Sequence, residues 1–289
     1  MSTPDFEATA DAFGLLADPV RVEILVALWQ ADETPVAYSA VRDAVGLRDS
    51  GRFNYHLSKL TDHFVEKTDD GYRLRPSGMV VLNAVYGGSY VDAPSRENLD
   101  VAGSCPSCDG ALEGVYDAGM FRVVCRACGD QLFLLSFPPR GVERRDDDAL
   151  VRAVSLHARA HTRRAHGGLC PFCGGRMERA LELDADTSLP VSTLLRGECA
   201  NCGVSNRMSV GFAVLEHPAV AGFLYDRGVP ADAPPWRFDW CLGDDAIAVE
   251  SRDPPRVTID VTAGDGTADR LRVTVDEHGD VTETTTLQR

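Results

Sequence analysis

Eight of the nine cysteines fall into four Cys-x-x-Cys pairs, and this spacing constrains the fold more than any other feature of the sequence. The pairs are Cys105/Cys108, Cys125/Cys128, Cys170/Cys173 and Cys199/Cys202. Each pair can direct two thiolates to one metal ion, and regular pairs of this kind in a reducing compartment indicate metal binding rather than disulfides. The sequence therefore predicts two four-cysteine metal sites.

The segments around these pairs form an internal repeat, CPSCDG…CRACGD followed by CPFCGG…CANCGV. Four thiolates fill the tetrahedral shell of Zn²⁺ and leave no position for water, so we expect two structural zinc ions. The repeat predicts two zinc ribbons, over residues 101–136 and 168–215, with strands at 111–116 and 120–124 in the first. Iron–sulfur clusters are the alternative, but the cysteine spacing does not fit them.

The segment Ser50–Phe64, SGRFNYHLSKLTDHF, has the pattern of a helix that presents polar side chains. Phe53, Leu57, Leu60 and Phe64 recur at helical spacing and predict a buried face. The polar residues Arg52, Asn54, Tyr55, Ser58, Lys59 and Asp62 fall on the other faces. The following VEKTDDGYRLRP has two short extended runs around Asp70-Gly71, which predicts a hairpin. A helix that presents polar side chains in this way, which we call the presenting helix, followed by a hairpin indicates a winged helix.

Most other segments of the first hundred residues are predicted to be helices of the same domain. Ser50 is expected to cap the presenting helix. The second helix is expected to bury Val22, Leu25, Val26 and Trp29. The composition of residues 87–100, rich in Gly, Ser, Pro and acids, predicts a linker. The further helices are predicted at Phe6–Leu16, from Pro19 onward, at Tyr38–Val45 and at Ser77–Tyr90.

The run Leu16–Leu25, LADPVRVEIL, and the segment His56–Leu60, HLSKL, resemble the ArsR-like winged-helix transcription regulators. The similarity is greatest to haloarchaeal members, whose recognition segment reads much like residues 49–57. The resemblance implies DNA binding by a homodimer over residues 1–92, with the presenting helix in the major groove of double-stranded DNA. The helix at 77–90 either dimerises or closes the core of its own domain. The residues expected to contact DNA are Ser50, Gly51, Arg52, Asn54, Tyr55, Ser58, Lys59, Lys67 and Arg73.

The charge of the chain argues against a generic nucleic-acid binder. The formal net charge is -15 at pH 7, and Lys59 and Lys67 are the only lysines. This acidic, lysine-poor composition resembles that of proteins from salt-loving archaea. Asp69 and Asp70 occupy the expected hairpin tip, where phosphates would lie closest. Phosphate attraction should therefore be weak, and specific base contacts should contribute more.

Residues 145–167 are predicted to form a connecting helix, with acidic residues in its first turn and basic residues in its last. Arg152, Arg159, Arg163 and Arg164 have no acidic neighbours in sequence after Asp148. This helix is expected to lie along DNA phosphates, to bind the acidic winged helix, or to be a solvated connector. His157 and His161 are four residues apart, but a role in packing or at the surface is favoured over metal binding.

Residues 216–289 are predicted to form a short helix and an antiparallel sheet. Trp236, Phe238 and Trp240 alternate as in a half-buried strand, and they indicate a packed core more than a ligand pocket. Cys241 is expected to be a buried thiol. The terminal residues 284–289 are expected to fray.

These patterns together predict an α+β chain that acts as a sequence-specific DNA-binding transcription regulator. The alternative is an adaptor that binds polymerase or another transcription-machinery protein, because a winged helix followed by a zinc ribbon also resembles archaeal transcription factor E. A small-molecule effector is a further partner to consider, whereas metal sensing is disfavoured because no cysteine precedes Cys105. We do not expect an enzyme, and without a secretion signal or a membrane-spanning run we expect a cytoplasmic protein.

Overall fold

The computed structural model describes residues 4–187, 189–264 and 269–287. The architecture is α+β, as the sequence predicts, and the chain divides into two compact units, residues 2–92 and 93–289. Each unit has its own apolar core. The finer division of residues 93–289 into two ribbons, a connecting helix and a terminal sheet stays a prediction.

The first unit consists of helices and one small hairpin. Asp18 caps the second helix by accepting a hydrogen bond from the backbone N–H of Val20 (2.9 Å), and Pro19 begins the helix. Gly46 ends the third helix in the left-handed conformation, with φ of 72°. The elements are α1 (Phe6–Gly14), α2 (Pro19–Gln30), α3 (Tyr38–Val45), α4 (Ser50–Leu60), β1 (Val65–Thr68), β2 (Gly71–Leu74) and α5 (Pro76–Gly87).

Both ends of α4 differ from the prediction. The N-cap is Asp49 rather than Ser50, because the Asp49 carboxylate accepts hydrogen bonds from the backbone N–H groups of Gly51 (2.9 Å) and Arg52 (3.1 Å). The helix ends at Leu60 because Thr61 is extended, with ψ of 142°, and Asp62 then turns the chain with a positive φ of 72°. Phe64 is buried, as its spacing suggested, but it lies beyond the helix.

The buried face of α2 also differs from the prediction. Ile24, Leu25 and Leu28 are buried, whereas Trp29 is 52% exposed. The difference arises because α2 packs against α3, α4, α5 and β2 on several sides. A central helix of this kind does not show one narrow apolar stripe in its sequence.

The second unit begins with a four-stranded antiparallel meander in the order β3-β4-β5-β6. The predicted linker is wrong for its last residues, because Arg96 onward is the edge strand β3. Leu99 anchors this strand: it is 1% exposed and packs over Gly114 next to Phe121. One apolar anchor among polar residues gives no strand pattern in the sequence. The strands are β3 (Arg96–Ser104), β4 (Ala111–Asp117), β5 (Met120–Cys125) and β6 (Gln131–Ser136).

The connecting helix is present as α6 (Asp147–His166), which Asp146 caps. Arg159 has an acidic partner in the folded chain, although it has no acidic neighbour in the sequence of the helix after Asp148. It forms an ion pair with Glu216, and its guanidinium also donates to backbone carbonyl groups of Ala231 and Ala233. These partners are more than fifty residues distant in sequence, so no local window shows them.

A three-stranded antiparallel sheet and three short helices follow α6. The strand order is β7-β8-β9. The sheet strands are β7 (Met177–Glu182), β8 (Leu194–Cys199) and β9 (Ser205–Ser209), and the helices are α7 (Val210–Val214), α8 (Pro218–Tyr225) and α9 (Asp239–Leu242).

The aromatic residues 236–240 do not form a strand. Residues 235–237 form a 3-10 turn, and α9 begins at Asp239. Trp236, Phe238 and Trp240 are all buried. The Trp236 ring stacks on Phe121 with centroids 6.0 Å apart, so these residues belong to the packed core. Their alternation imitates a strand because Phe238 is extended between the 3-10 turn and α9, which leaves residues 237 and 239 exposed on either side of it.

A four-stranded antiparallel meander ends the chain, in the order β10-β11-β12-β13. The predicted fraying is wrong for residues 284–287, because Thr284 pairs with Val273 and β13 continues to Leu287. The threonines of this segment favour strands despite their polarity. Residues 288 and 289 lie outside the described part of the chain. The strands are β10 (Ile247–Arg252), β11 (Pro255–Val261), β12 (Arg270–Val275) and β13 (Val281–Leu287).

Within the described ranges, no helix combines the length and the apolar character needed to cross a membrane.

Candidate metal centres and nucleic-acid interface

The first cysteine cluster brings four sulfur atoms together at the end of the β3–β6 sheet. The ligand atoms of Cys105, Cys108, Cys125 and Cys128 all lie within 4.8 Å of one another. The Sγ atoms of Cys105 and Cys128 are 3.6 Å apart, as are those of Cys108 and Cys125. Four sulfurs around Zn²⁺ at 2.3 Å have edges of about 3.8 Å, so this spacing fits a tetrahedral zinc site and not a disulfide.

The second cluster has the same geometry at the end of the β7–β9 sheet. The Sγ atoms of Cys170 and Cys202 are 3.8 Å apart, and those of Cys173 and Cys199 are 3.5 Å apart. The part of the chain that the structure describes contains no third group of three or more side chains placed to hold a metal ion. The chain therefore has two four-cysteine metal sites, and their all-sulfur donor sets suit zinc.

All four Cys-x-x-Cys turns, which we call knuckles, share one backbone geometry. The residue four positions after the first cysteine has a positive φ in every knuckle, and its N–H donates to the carbonyl oxygen of that cysteine. Glycine adopts this left-handed conformation without strain. The residues at this position are Asp109, Gly129, Gly174 and Gly203.

Gly110 leaves room for the sulfur atoms of the first site. A Cβ atom at this position would lie 2.9 Å from Sγ of Cys125 and 3.2 Å from Sγ of Cys108. The equivalent Gly175 of the second site faces the side chain of Asn201 instead. The first site therefore requires glycine at residue 110 for the packing of its ligands.

The protein environment favours thiolate at one cysteine of each cluster. Hydrogen bonding from the backbone N–H of Cys128 is the main cause that lowers the pKa of Cys125 to about 6. The backbone N–H of Cys202 has the same effect on Cys199, whose pKa is also about 6. The first cysteine of each knuckle is buried and the second is exposed, so both clusters border solvent on one side.

The helix α4 separates its residues into a core face and a solvent face. Phe53, His56, Leu57 and Leu60 are buried. Tyr55 is 58% exposed, and the Lys59 amino group lies 5.8 Å from the centroid of its ring. Every α4 residue predicted to contact DNA is exposed, namely Ser50, Gly51, Arg52, Asn54, Tyr55, Ser58 and Lys59.

The predicted hairpin of β1 and β2 is present, with Val65 paired with Leu74, but its turn is Asp69-Asp70 rather than Asp70-Gly71, because Gly71 already pairs with Thr68. Lys67 and Arg73 are exposed on it. The Arg73 guanidinium is held by Glu66 through two hydrogen bonds of 2.9 and 3.0 Å. This pairing lowers the pKa of Glu66, so the carboxylate stays charged and competes with any phosphate for Arg73.

Three histidines, His56, His157 and His161, are buried or half-buried and lie against neighbouring side chains. Nδ1 of the buried His56 lies 3.7 Å from Oδ1 of Asp18, a contact between α4 and the start of α2 that its sequence neighbourhood does not indicate. His157 packs edge-on against Phe137, and His161 packs edge-on against Phe172. Burial lowers the pKa of both His157 and His161, which keeps their rings neutral at neutral pH.

The Cys-x-x-Cys spacing predicts the ligands but not the residues that shape their sites. These residues are the left-handed position of each knuckle and Gly110 beside the first set of sulfurs. The signal that would have found them is the shared offset from the first cysteine, four residues for the left-handed position and five for Gly110. The sequence does not distinguish Asp49 from Ser50 as the cap of α4, because both are good capping residue types.

The fold and these sites define a class of protein with a DNA-binding-like helical region, a small wing-like hairpin and two four-cysteine metal sites. A family model described as a domain of unknown function, DUF7351, matches residues 102–281, and the chain therefore belongs to the DUF7351 family. A second model, the domain of unknown function DUF7347, matches residues 9–85. Neither a curated protein nor a solved structure matches the chain.

Proposed function

We propose that this chain is a sequence-specific DNA-binding transcription regulator of the haloarchaeal ArsR-like type, with α4 as its recognition helix. The observation that carries the proposal is the division of α4 into a buried apolar face and a fully exposed polar face. An α-helix fits the major groove, where each base pair presents a distinct pattern of donors and acceptors. The exposed face supplies donors and acceptors suited to that pattern.

The side chains of α4 suggest how the bases are read. Arg52 matches the two acceptors of guanine, and Asn54 matches the donor and acceptor of adenine. Tyr55 and Lys59 lie together on the exposed face, so they would act as one unit beside these two residues. Ser50, Gly51 and Ser58 complete the surface at which the helix would approach DNA.

The hairpin supports only a weak contact with phosphates. Arg73 is tied to Glu66, and the tip carries the exposed acids Asp69 and Asp70. Lys67 is the remaining cation on this element. Each phosphate contact contributes roughly -0.9 to the slope of log affinity against log salt for B-form DNA. Binding by this protein should therefore depend weakly on salt and strongly on base contacts.

Exposed apolar side chains on α1 and α5 support a homodimer. Phe6, Phe13 and Val80 are 70%, 67% and 67% exposed, and Tyr86 of α5 is 43% exposed. Phe6 and Phe13 are seven residues apart and lie on one face of α1, and an exposed apolar face is typical of an interaction site. We propose that a second copy of the chain covers these helices, which would place two recognition helices on one operator.

The two metal sites have a structural role in this proposal. Each would hold one zinc ion with four cysteine thiolates, which leaves no coordination position for a substrate. We therefore assign no catalytic activity to the chain. The zinc ions would hold the knuckles together, most of all at the second site, where the surrounding apolar cluster is small.

An adaptor that binds the transcription machinery is the second candidate, and one surface favours it. The exposed face of α6 and the adjoining knuckle carry Arg152, Leu156, Arg163 and Phe172, of which Leu156 is 53% and Phe172 is 66% exposed. Arginine and aromatic residues are enriched in protein–protein interfaces, whereas lysine and acidic residues are depleted. An adaptor would use this surface and would not need base contacts from α4.

Genome-wide chromatin occupancy distinguishes the two candidates. The wild-type chain is compared with the double variant Arg52→Ala and Tyr55→Ala, which removes two base-reading side chains without touching the core. The regulator proposal expects discrete promoter peaks in the wild type that disappear in the variant. A matched control is the double variant Tyr225→Ala and Arg237→Ala, which removes the same residue types from exposed positions of the second unit.

The control variant should keep the wild-type peaks. Peaks that follow polymerase along transcribed genes and survive the Arg52 and Tyr55 substitutions would contradict the regulator proposal and favour the adaptor. Loss of peaks in both double variants would show that the effect is not specific to α4.

A further inference from the structure

A cavity of about 430 Å³ lies in the second unit where β6, β9 and α6 meet. The cavity is partly open to solvent, so a ligand could enter it from the surface. It falls in the range of about 300–1,000 Å³ that small-molecule sites occupy. All of its lining residues belong to residues 131–242, within one compact unit.

Two strand edges form walls of the cavity. The consecutive residues 131–135 of β6 and 205–209 of β9 all border it. Side chains alternate between the faces of a strand, so an unbroken run of lining residues indicates that the backbone edge itself borders the cavity. Among the described strands, β6 pairs with β5 alone and β9 with β8 alone. Their outer N–H and C=O groups are therefore available to a ligand.

The remaining surface of the cavity is mostly apolar. The rings of Phe133 and Phe212 stack with centroids 5.8 Å apart and an interplanar angle of 8°. Leucine side chains of β6 and α9 and the side chain of Val191 line further parts of the wall, and Ala158 of α6 lines another. A ligand would thus bury an apolar body against aromatic and aliphatic side chains.

The charged groups at the cavity are neutralised. Nε of Arg207 lies 3.1 Å from a carboxylate oxygen of Glu182. Burial keeps the ring of His161 neutral by lowering its pKa, and burial raises the pKa of the Cys241 thiol well above its usual value. Among the described lining residues, therefore, no unpaired charge is available to pair with a charged ligand. Burying a charged ligand without such a partner would be costly.

We propose that this cavity is a binding site for an uncharged, largely apolar small molecule that carries hydrogen-bonding groups at its rim. The apolar walls take the body of the ligand, and the edges of β6 and β9 take its donors and acceptors. The site does not depend on DNA binding by the first unit.

Two fluorescent probes that differ by a single charge test the chemistry of the site. The full-length, zinc-loaded chain is titrated with neutral N-phenyl-1-naphthylamine and with 1-anilinonaphthalene-8-sulfonate, which adds a sulfonate to the same ring system. The neutral probe should bind with one-to-one stoichiometry and increased fluorescence. The sulfonate should bind at least about tenfold more weakly, because its charge would be buried without a partner.

A matched pair of variants on α6 tests the location. Ala158→Met adds three heavy atoms at a cavity-lining residue, whereas Ala160→Met adds the same atoms at an exposed residue two positions further along. The first should weaken binding of the neutral probe at least about tenfold, and the second should leave it unchanged. Leu135→Trp, which fills the cavity from a half-buried strand position, provides a second test if Ala158→Met does not fold.

Folding of each variant is verified by its zinc content and far-ultraviolet circular dichroism. Failure of the neutral probe to bind would overturn the proposal. Equal binding of the two probes would overturn it too, as would unchanged binding in a folded cavity-filling variant.

Discussion

Asp109 occupies the position at which the other three knuckles have glycine. Its φ of 56° is in the left-handed region, where aspartate is better tolerated than most residues but less favourable than glycine. The next residue, Gly110, is constrained differently, because a Cβ atom there would press on two ligand sulfurs. Adjacent residues of one knuckle are therefore subject to two separate physical constraints.

The substitution Gly110→Ala should weaken zinc binding at the first site by about 2 kcal/mol, or roughly thirtyfold, because overpacking in a rigid environment costs about this much. The measurement is competition for zinc with a chromophoric chelator, which resolves the two sites by their affinities. Asp109→Gly should preserve the affinity because glycine accepts the same backbone conformation.

Gly175→Ala is the matched control at the equivalent position of the second site. Its Cβ would meet the side chain of Asn201 rather than a ligand sulfur, so the loss should be smaller. Equal losses in the two alanine variants would contradict the assigned role of Gly110.

At the scale of elements, the cap of α4 determines how firmly the candidate recognition helix is held. Replacing Asp49 by alanine should destabilise the first turns of α4 by about 1 kcal/mol, because two backbone N–H groups lose their acceptor. Hydrogen-exchange mass spectrometry of peptides covering residues 49–60 should show exchange faster by about fivefold. Asp49→Asn should restore most of the protection.

Ser50→Ala is the control for this prediction. The side chain of Ser50 does not cap the helix, so exchange should stay close to that of the wild type. An effect of Ser50→Ala as large as that of Asp49→Ala would show that the assigned cap is wrong.

Much of the element order could be predicted from sequence because local signals determine it. Helix caps, glycine stops, the turn residues of the hairpin and the cysteine spacing act within a few residues, and the elements they indicate are present, although the hairpin turn is one residue earlier than predicted. The elements that the sequence does not predict correctly depend on contacts between residues far apart in the chain. Leu99 makes β3 a strand by packing near Phe121, and Trp236 is buried in a 3-10 turn by stacking on the same ring.

The candidate sites show the same distinction between features set by local sequence and features set by distant contacts. The four ligands of each cluster follow from spacing, and the exposed face of α4 follows from helical periodicity. The partners of Arg159 and the cavity between β6 and β9 depend on segments that meet only in the folded unit. No window of sequence contains that information.

At the scale of the whole molecule, the two units should respond differently to removal of metal. The core of residues 2–92 contains no cysteine, whereas Cys105 and Cys125 belong to the main core of the second unit. A small separate cluster around the second site consists of Cys170, Met177 and Cys199 with Val204 packed against it. Its apolar contacts are too few to hold that region without the metal.

Chelation of zinc should therefore unfold the region around the second site, loosen the knuckles of the first site and leave the first unit folded. Hydrogen exchange should increase in peptides covering residues 101–136 and 168–215, while peptides covering residues 6–87 keep their protection. Elemental analysis before chelation should give two zinc ions per chain, and added zinc should restore the protection. Equal loss of protection in residues 6–87, or clearly fewer than two zinc ions, would contradict this prediction.

The terminal strand β13 has a consequence for the behaviour of the protein at high concentration. It is an edge strand, and residues 282–286 are all exposed, so its outer backbone groups offer a template to another chain. Glu283 in the middle of this strand and the net charge of -15 oppose such stacking by repulsion between like charges. Because dissolved salt screens this repulsion, the charge protects the edge of β13 less at high salt than in dilute buffer, and the shortness of the strand and its polar side chains then have to limit pairing with another chain.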